Sequence, residues 1–161
     1  MKKLGILLVL FVSLSACNKS DFAYSEKVTH DFLSNREKLE NFHQEVLDGK
    51  FINQSETAKH FSETSANNFI QISQSTVKDI NELKHSGAAD AFHAKVIEYL
   101  STLSDSYYPE AKKYILANDT SSEKETALQN LKTIKEKLST LEDEALTEQE
   151  KFFKEVNIQA K

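Results

Sequence analysis

"SSEKETALQNLKTIKEKLSTLEDEALTEQEK", residues 121–151, is the stretch whose reading decides the fold. Inside it Ala127, Leu131, Ile134, Leu138, Leu141 and Ala145 recur at alternating steps of four and three. An α-helix turns once every 3.6 residues, so these steps stack the apolar residues into one stripe. The residues between them carry charges of both signs, the pattern of a solvated face laced with i,i+4 pairs. A helix cannot cover its own stripe; it needs neighbouring helices. Past Ala145 the phase shifts, and Phe152, Phe153 and Val156 carry the apolar face onward. Upstream, "NDTSS" (118–122) reads as a loop. There Thr120 with Glu123, or Ser122 with Glu125, is placed to form a capping box.

Three more segments share this period. From about Asp21 to Asp48, the seam is Val28, Phe32, Asn35, Leu39, Phe42 and Val46, and Gly49 stands where a left-handed C′ residue belongs. From about Gln54 to His85 run Ala58, Phe61, Ala66, Phe69, Ile72, Val77, Ile80 and Leu83, interrupted by Ser65, Ser73 and Thr76. Asn53 with Glu56 is the expected start of that helix, and Lys84 and His85 its last turn. From about Ala88 to Ala117, Ala89, Phe92, Val96, Tyr99, Leu103, Tyr107, Ala111 and Tyr114 form a stripe that stays in phase across Pro109, which predicts a kink there. The chain has 3 Gly and 1 Pro in 161 residues, too few turn formers for an all-β fold. The expected class is all-α: an antiparallel up-down-up-down four-helix bundle with the third helix kinked at Pro109. A three-helix domain with a loose fourth helix is the alternative.

The chain opens "MKKLGILLVLFVSLSAC". Lys2 and Lys3 precede an apolar run, Leu4 to Leu14, that as a helix covers roughly 16 Å, about half a bilayer's hydrocarbon core. It reads as a secretory signal, not a membrane span. The sequence Leu14-Ser15-Ala16-Cys17 resembles the lipobox of bacterial lipoproteins at all four positions. That resemblance covers the first 17 residues. It implies cleavage after Ala16, diacylglycerol on the Cys17 thiol and an acyl chain on the new amino terminus. It also implies an address: Asn18, where inner-membrane retention in the enteric scheme calls for Asp, favours the outer membrane. The expected division is a cleaved signal helix over 1–16, a lipidated N-terminus and tether over 17–21, and a bundle domain over 22–161. Several acyl chains give a firm anchor where a single one does not. Four residues, Asn18 to Asp21, reach roughly 14 Å, which holds the bundle close to the membrane.

Net charge is −5, and it becomes −7 without the two lysines of the signal. An acidic chain without a basic cluster speaks against nucleic acid and against electrostatic adhesion to anionic lipid. Cys17 is the sole cysteine, so with its thiol acylated no disulfide or thiol chemistry remains. Glycine-rich phosphate loops, G-x-S-x-G and H-E-x-x-H are absent from the sequence.

Two side-chain constellations remain. The Glu-x-x-His pairs Glu40/His43 and Glu82/His85 fall at opposite ends of an antiparallel hairpin and cannot share an ion. A hairpin turning symmetrically over Gly49–Asn53 instead sets His43 level with His60, and Glu40 with Glu63. Two imidazoles and two carboxylates there form a candidate Zn²⁺ site, against the simpler reading of a solvated surface. The second is aromatic. Tyr99, Tyr107, Tyr108 and Tyr114 bracket Pro109 and either line a groove or simply complete the core. The function these features support is a lipid-anchored envelope protein acting as a non-enzymatic binding or interaction module. Its partners are the membrane, through the lipid, and an envelope protein. The alternative is a metal-binding or metal-dependent protein using Glu40, His43, His60 and Glu63. No cofactor is expected beyond the covalent lipid and that possible ion.

Overall fold

A computed structural model describes residues 19–157. Every regular element in it is helical, and the elements form four rods of a helical bundle. Helix α1 spans Lys19–Leu47 and α2 spans Glu56–Asn81. The third rod is composite: a 3₁₀ turn (Gly87–Ala89), α3 (Asp90–Thr102), a π-helical segment (Leu103–Tyr107) and α4 (Tyr108–Leu116). Helix α5 spans Ser122–Glu155. The expected signal segment over 1–16 and the expected lipidation site Cys17 lie outside the described residues.

The apolar seams read from sequence are largely the buried ones. Val28, Phe32, Asn35, Leu39, Phe42 and Val46 are all buried on α1, as are all eight stripe residues of the third rod. On α5, Ala127, Leu131, Leu138, Leu141, Ala145 and Phe152 are buried, and Ile134, Phe153 and Val156 pack half-buried against them. Helix α2 departs from expectation. Ala66, Ser73 and Ile80 face the core, while Phe61 is 77% exposed and Ile72 points outward. Ser73 displaces an apolar neighbour because its hydroxyl donates to Asn35 Oδ1 (3.2 Å) inside the interface. Asn35 Nδ2 in turn donates to the Asp31 carbonyl (2.9 Å). A polar pair satisfied in this way sits in a core seam without the penalty of an unpaired buried group.

Helix ends also differ. Ser55 caps α2, its hydroxyl accepting from the Ala58 amide, whereas Asn53 adopts φ +55 in the preceding loop. Gly49 takes φ +73, as a C′ residue does. Helix α2 stops at Asn81, so Lys84 and His85 belong to the connection beyond it. Ser121 caps α5 by accepting from the Lys124 amide (3.2 Å), in place of Thr120 or Ser122. Helix α1 begins at Lys19, and Asp21 is buried in its first turn. Residues 19–21, expected to belong to the tether, are helical.

Interhelical pairs fix what lies beside what. Along α1, Thr29, Arg36 and Glu40 meet Gln149, Glu142 and Lys135 of α5, in descending order. Tyr24, Phe32 and His43 meet His93, Tyr99 and Tyr107, in ascending order. In the third rod the Tyr108 amide reaches back five residues to the Leu103 carbonyl, and Pro109 follows at once. Proline has no N–H to continue the ladder, and its position in the first turn of α4 is one where none is needed.

Candidate functional site

The four residues expected to hold a metal are not brought together. Phe51, in the α1–α2 loop, folds back under Phe42 with ring centroids 5.3 Å apart. That insertion advances α2, so that Phe42 meets Phe69 and Asn35 meets Ser73. The register lies roughly two turns from that of a symmetric hairpin. His60 therefore sits beside the loop and not beside His43. Its ring is largely exposed, 3.7 Å from Glu63. Glu63 also reaches Lys112 of α4 (3.5 Å), and Glu40 pairs with Lys135 of α5 (2.6 Å). His43 bonds the Tyr107 hydroxyl through Nδ1 (2.7 Å). Among the described residues no group of three or more His, Cys, Asp or Glu side chains is arranged to hold a metal ion.

The tyrosines do not line an open groove. Tyr99, Tyr107, Tyr108 and Tyr114 are all buried; Tyr107 and Tyr108 pack with Phe42 and Phe69 into an aromatic cluster at the π segment, Tyr99 packs on Phe32, and Tyr114 lies under Lys124. Burial pushes the hydroxyl pKa of each upward, since a phenolate would lose its hydration. The groove reading gives way to the core reading, because the composite rod stays packed between α2 and α5 along its π segment and α4. Tyr99 stands apart: its hydroxyl is buried and makes no hydrogen bond.

What sequence reasoning missed is polar chemistry along α1. At the end where α1 begins, Tyr24 meets two histidines from the α2–α3 region. Its hydroxyl lies 3.1 Å from His93 Nδ1, and His93 Nε2 lies 3.1 Å from Asn81 Oδ1. With Asn81 Oδ1 accepting from Nε2–H, His93 is left to accept the hydrogen bond of the Tyr24 hydroxyl at Nδ1. His85 packs against His93 with the rings tilted and 4.7 Å between centroids, and donates from Nδ1 to the Ser86 carbonyl (3.0 Å). Asp21 accepts from the Ser86 amide (2.8 Å), tying the connection to the first turn of α1. Burial, His85 and, in the opposite sense, Asp90 act on His93, and the net effect lowers its pKa. His43 is lowered too, by burial and then by Lys135 and Lys132, with Glu40 opposing. The only sequence signal for this arrangement was a histidine flanking a seam on α1 and another on the third rod.

The opposite end is built differently. Asp119 accepts from the Asn53 amide (2.8 Å) and from Lys124 Nζ (2.6 Å), joining the α1–α2 and α4–α5 loops. Lys124, itself buried, donates also to the Phe51 carbonyl (2.8 Å) and lies over the Tyr114 ring. Lys124 first, then the Asn53 amide, holds the Asp119 carboxyl below its usual pKa. Around this fastened end four apolar side chains stay exposed: Leu47 (51%), Ile52 (46%), Phe61 (77%) and Leu116 (47%). Between α4 and α5 a cavity of about 300 Å³ is lined by Glu110, Lys113, Thr126 and Asn130. Its carboxylate is already bonded to Lys113 (2.7 Å) and Asn130 (2.9 Å).

No protein-family model matches the chain, and neither the curated proteins nor the solved structures give a match to it.

Proposed function

We propose that the protein is a lipid-anchored component of a bacterial envelope that acts as a non-enzymatic interaction module. The observation that carries the interaction reading is the set of exposed apolar residues Leu47, Ile52, Phe61 and Leu116 at the end away from the start of α1. Large apolar side chains gathered in water at one end of a bundle are the usual mark of a contact surface. Lys124 and Asp119 brace that end from within, so it presents a fixed shape. The lipobox resemblance of Leu14–Cys17 supports the anchor at Cys17, and Asn18 favours the outer membrane. We further read the rods as an up-down-up-down bundle bent at Pro109. The descending α1–α5 pairs, the ascending pairs between α1 and the third rod, and the π segment before the proline support it.

The test is in-cell crosslinking of the lipidated protein. A discrete adduct that disappears in a Phe61→Asp/Leu116→Asp variant, with helicity unchanged, is the expected result. An adduct pattern unaffected by that variant refutes the contact surface. Separately, Cys17→Ala is expected to move the protein out of the membrane fraction and abolish its labelling by palmitate. Labelling that persists refutes the anchor.

A further inference from the structure

We propose that α1 is an acid-released strap, fastened to the third rod by a reciprocal pair of histidine–tyrosine bonds. Near its start α1 contributes the tyrosine, Tyr24 to His93. Near its end it contributes the histidine, His43 to Tyr107. The proposal stands apart from the anchoring and contact readings above and needs neither.

Three observations carry it. First, α1 is the separable element. Helices α2, α3, α4 and α5 pack with close backbones, whereas α1 reaches them through long side chains, as in the Phe32–Tyr99 contact at 4.8 Å between centroids. Its apolar seam is flanked by polar contacts, Arg36 to Glu142, Glu40 to Lys135 and Thr29 to Gln149, with Asn35 to Ser73 inside it. An element with few close backbone neighbours is the one expected to open ahead of the rest. Second, both fasteners pair a neutral imidazole with a buried phenol. Tyr24 is 1% exposed and Tyr107 0%. A neutral imidazole with its proton on Nε2 accepts the phenol's hydrogen bond at Nδ1. A protonated one becomes a donor there, and the phenol's own proton must then find another acceptor inside the core. Protonation thus works against the docked arrangement at both ends. Third, the surroundings offer the imidazolium little compensation. His43 is faced by Lys135 and Lys132 from α5 and by Glu40 on its own helix, with Tyr107 from the third rod. His93 is faced by His85 from the α2–α3 connection, Asp90 on α3, Tyr24 from α1 and Asn81 from α2. Helix α5 presents Phe152 there, packed on Tyr24 and Phe92.

Both histidines have their pKa lowered in the folded protein. The unfolded or undocked state then binds more protons, so stability is full above the unfolded value of about 6.5 and falls as pH drops through it. Opening that takes up one proton shifts roughly tenfold per pH unit, and opening that takes up two shifts roughly a hundredfold.

Amide hydrogen exchange on the purified full chain tests this, from pH 7.5 to 5.0, with intrinsic rates divided out. The expected result is that α1 opening rises several-fold as pH falls from 7.5 to 5.0, with the rise beginning near pH 6.5, while α5 changes less. The slope is expected to vanish in His43→Gln/His93→Gln, because glutamine takes up no proton. Should that variant fail to fold, the single substitutions His43→Gln and His93→Gln are each expected to lower the slope, because each removes one of the two groups that take up a proton. Protection of α1 that is independent of pH, loss of protection in α1 and α5 by the same factor, or a slope that survives these substitutions overturns the proposal.

Discussion

Two tyrosines on the third rod, eight residues apart and both buried, should respond oppositely to the same substitution. Tyr99 is 1% exposed, and its hydroxyl has no hydrogen-bond partner. Tyr107 is 0% exposed, and its hydroxyl bonds His43 Nδ1 at 2.7 Å. Tyr→Phe removes one oxygen and leaves ring packing in place. At Tyr99 it removes a buried, unsatisfied polar group, whose cost is about 1–3 kcal/mol, so Tyr99→Phe should stabilise by about 1 kcal/mol or more. At Tyr107 it removes a net-favourable bond and leaves a half-buried imidazole nitrogen without its partner, so Tyr107→Phe should destabilise by about 1–2 kcal/mol. The unfolding entropy of roughly 140 residues is near 0.3 kcal/mol/K, which converts each kcal/mol into about 3 °C of Tm. The variants should thus separate by roughly 6–9 °C, with wild type between them. The chain has no tryptophan, so urea and thermal unfolding are followed by circular dichroism at pH 7.5, where His43, its pKa lowered by burial, is neutral. A Tyr99→Phe protein less stable than wild type by 1 kcal/mol or more would show that the hydroxyl has a partner and refute the reasoning.

Three further outcomes follow from the same packing. Asn35→Ala strips the Ser73 hydroxyl of its acceptor and should cost about 2–3 kcal/mol in urea unfolding; adding Ser73→Ala should recover part of that loss rather than deepen it. Gly49→Ala forces a side chain onto φ +73 and sets its Cβ 3.3 Å from Ile52 Cδ1, so Tm should fall by the equivalent of about 1 kcal/mol. Protein incubated with Zn²⁺ and desalted should retain no stoichiometric metal through Glu40, His43, His60 and Glu63, because Lys135, Tyr107 and Lys112 already engage three of them; one equivalent lost on His43→Ala would reverse this reading.

The sequence by itself determined the helical class and most of the buried surface. A period of 3.6 residues is a local property, so the seams of α1, the third rod and α5 were legible residue by residue, down to Asn35 standing in a core position. The helix punctuation was legible only approximately. Several adjacent residues can each cap a helix, and packing chooses among them: Ser55 over Asn53, Ser121 over its neighbours. The α2 face was ambiguous in the sequence because Ser65, Ser73 and Thr76 interrupt it, and the hydrogen bond that Ser73 donates to Asn35 places that serine in the core. Register and juxtaposition were decided by tertiary structure alone. Phe51 folding under Phe42 advanced α2 and parted His60 from His43, a long-range packing event that no local pattern encodes. The same packing buried the tyrosines, and it brought Tyr24 to His93 across 69 residues of chain and His43 to Tyr107 across 64. Periodicity says which face of a helix is buried; only the assembled bundle says which residue of another helix it is buried against.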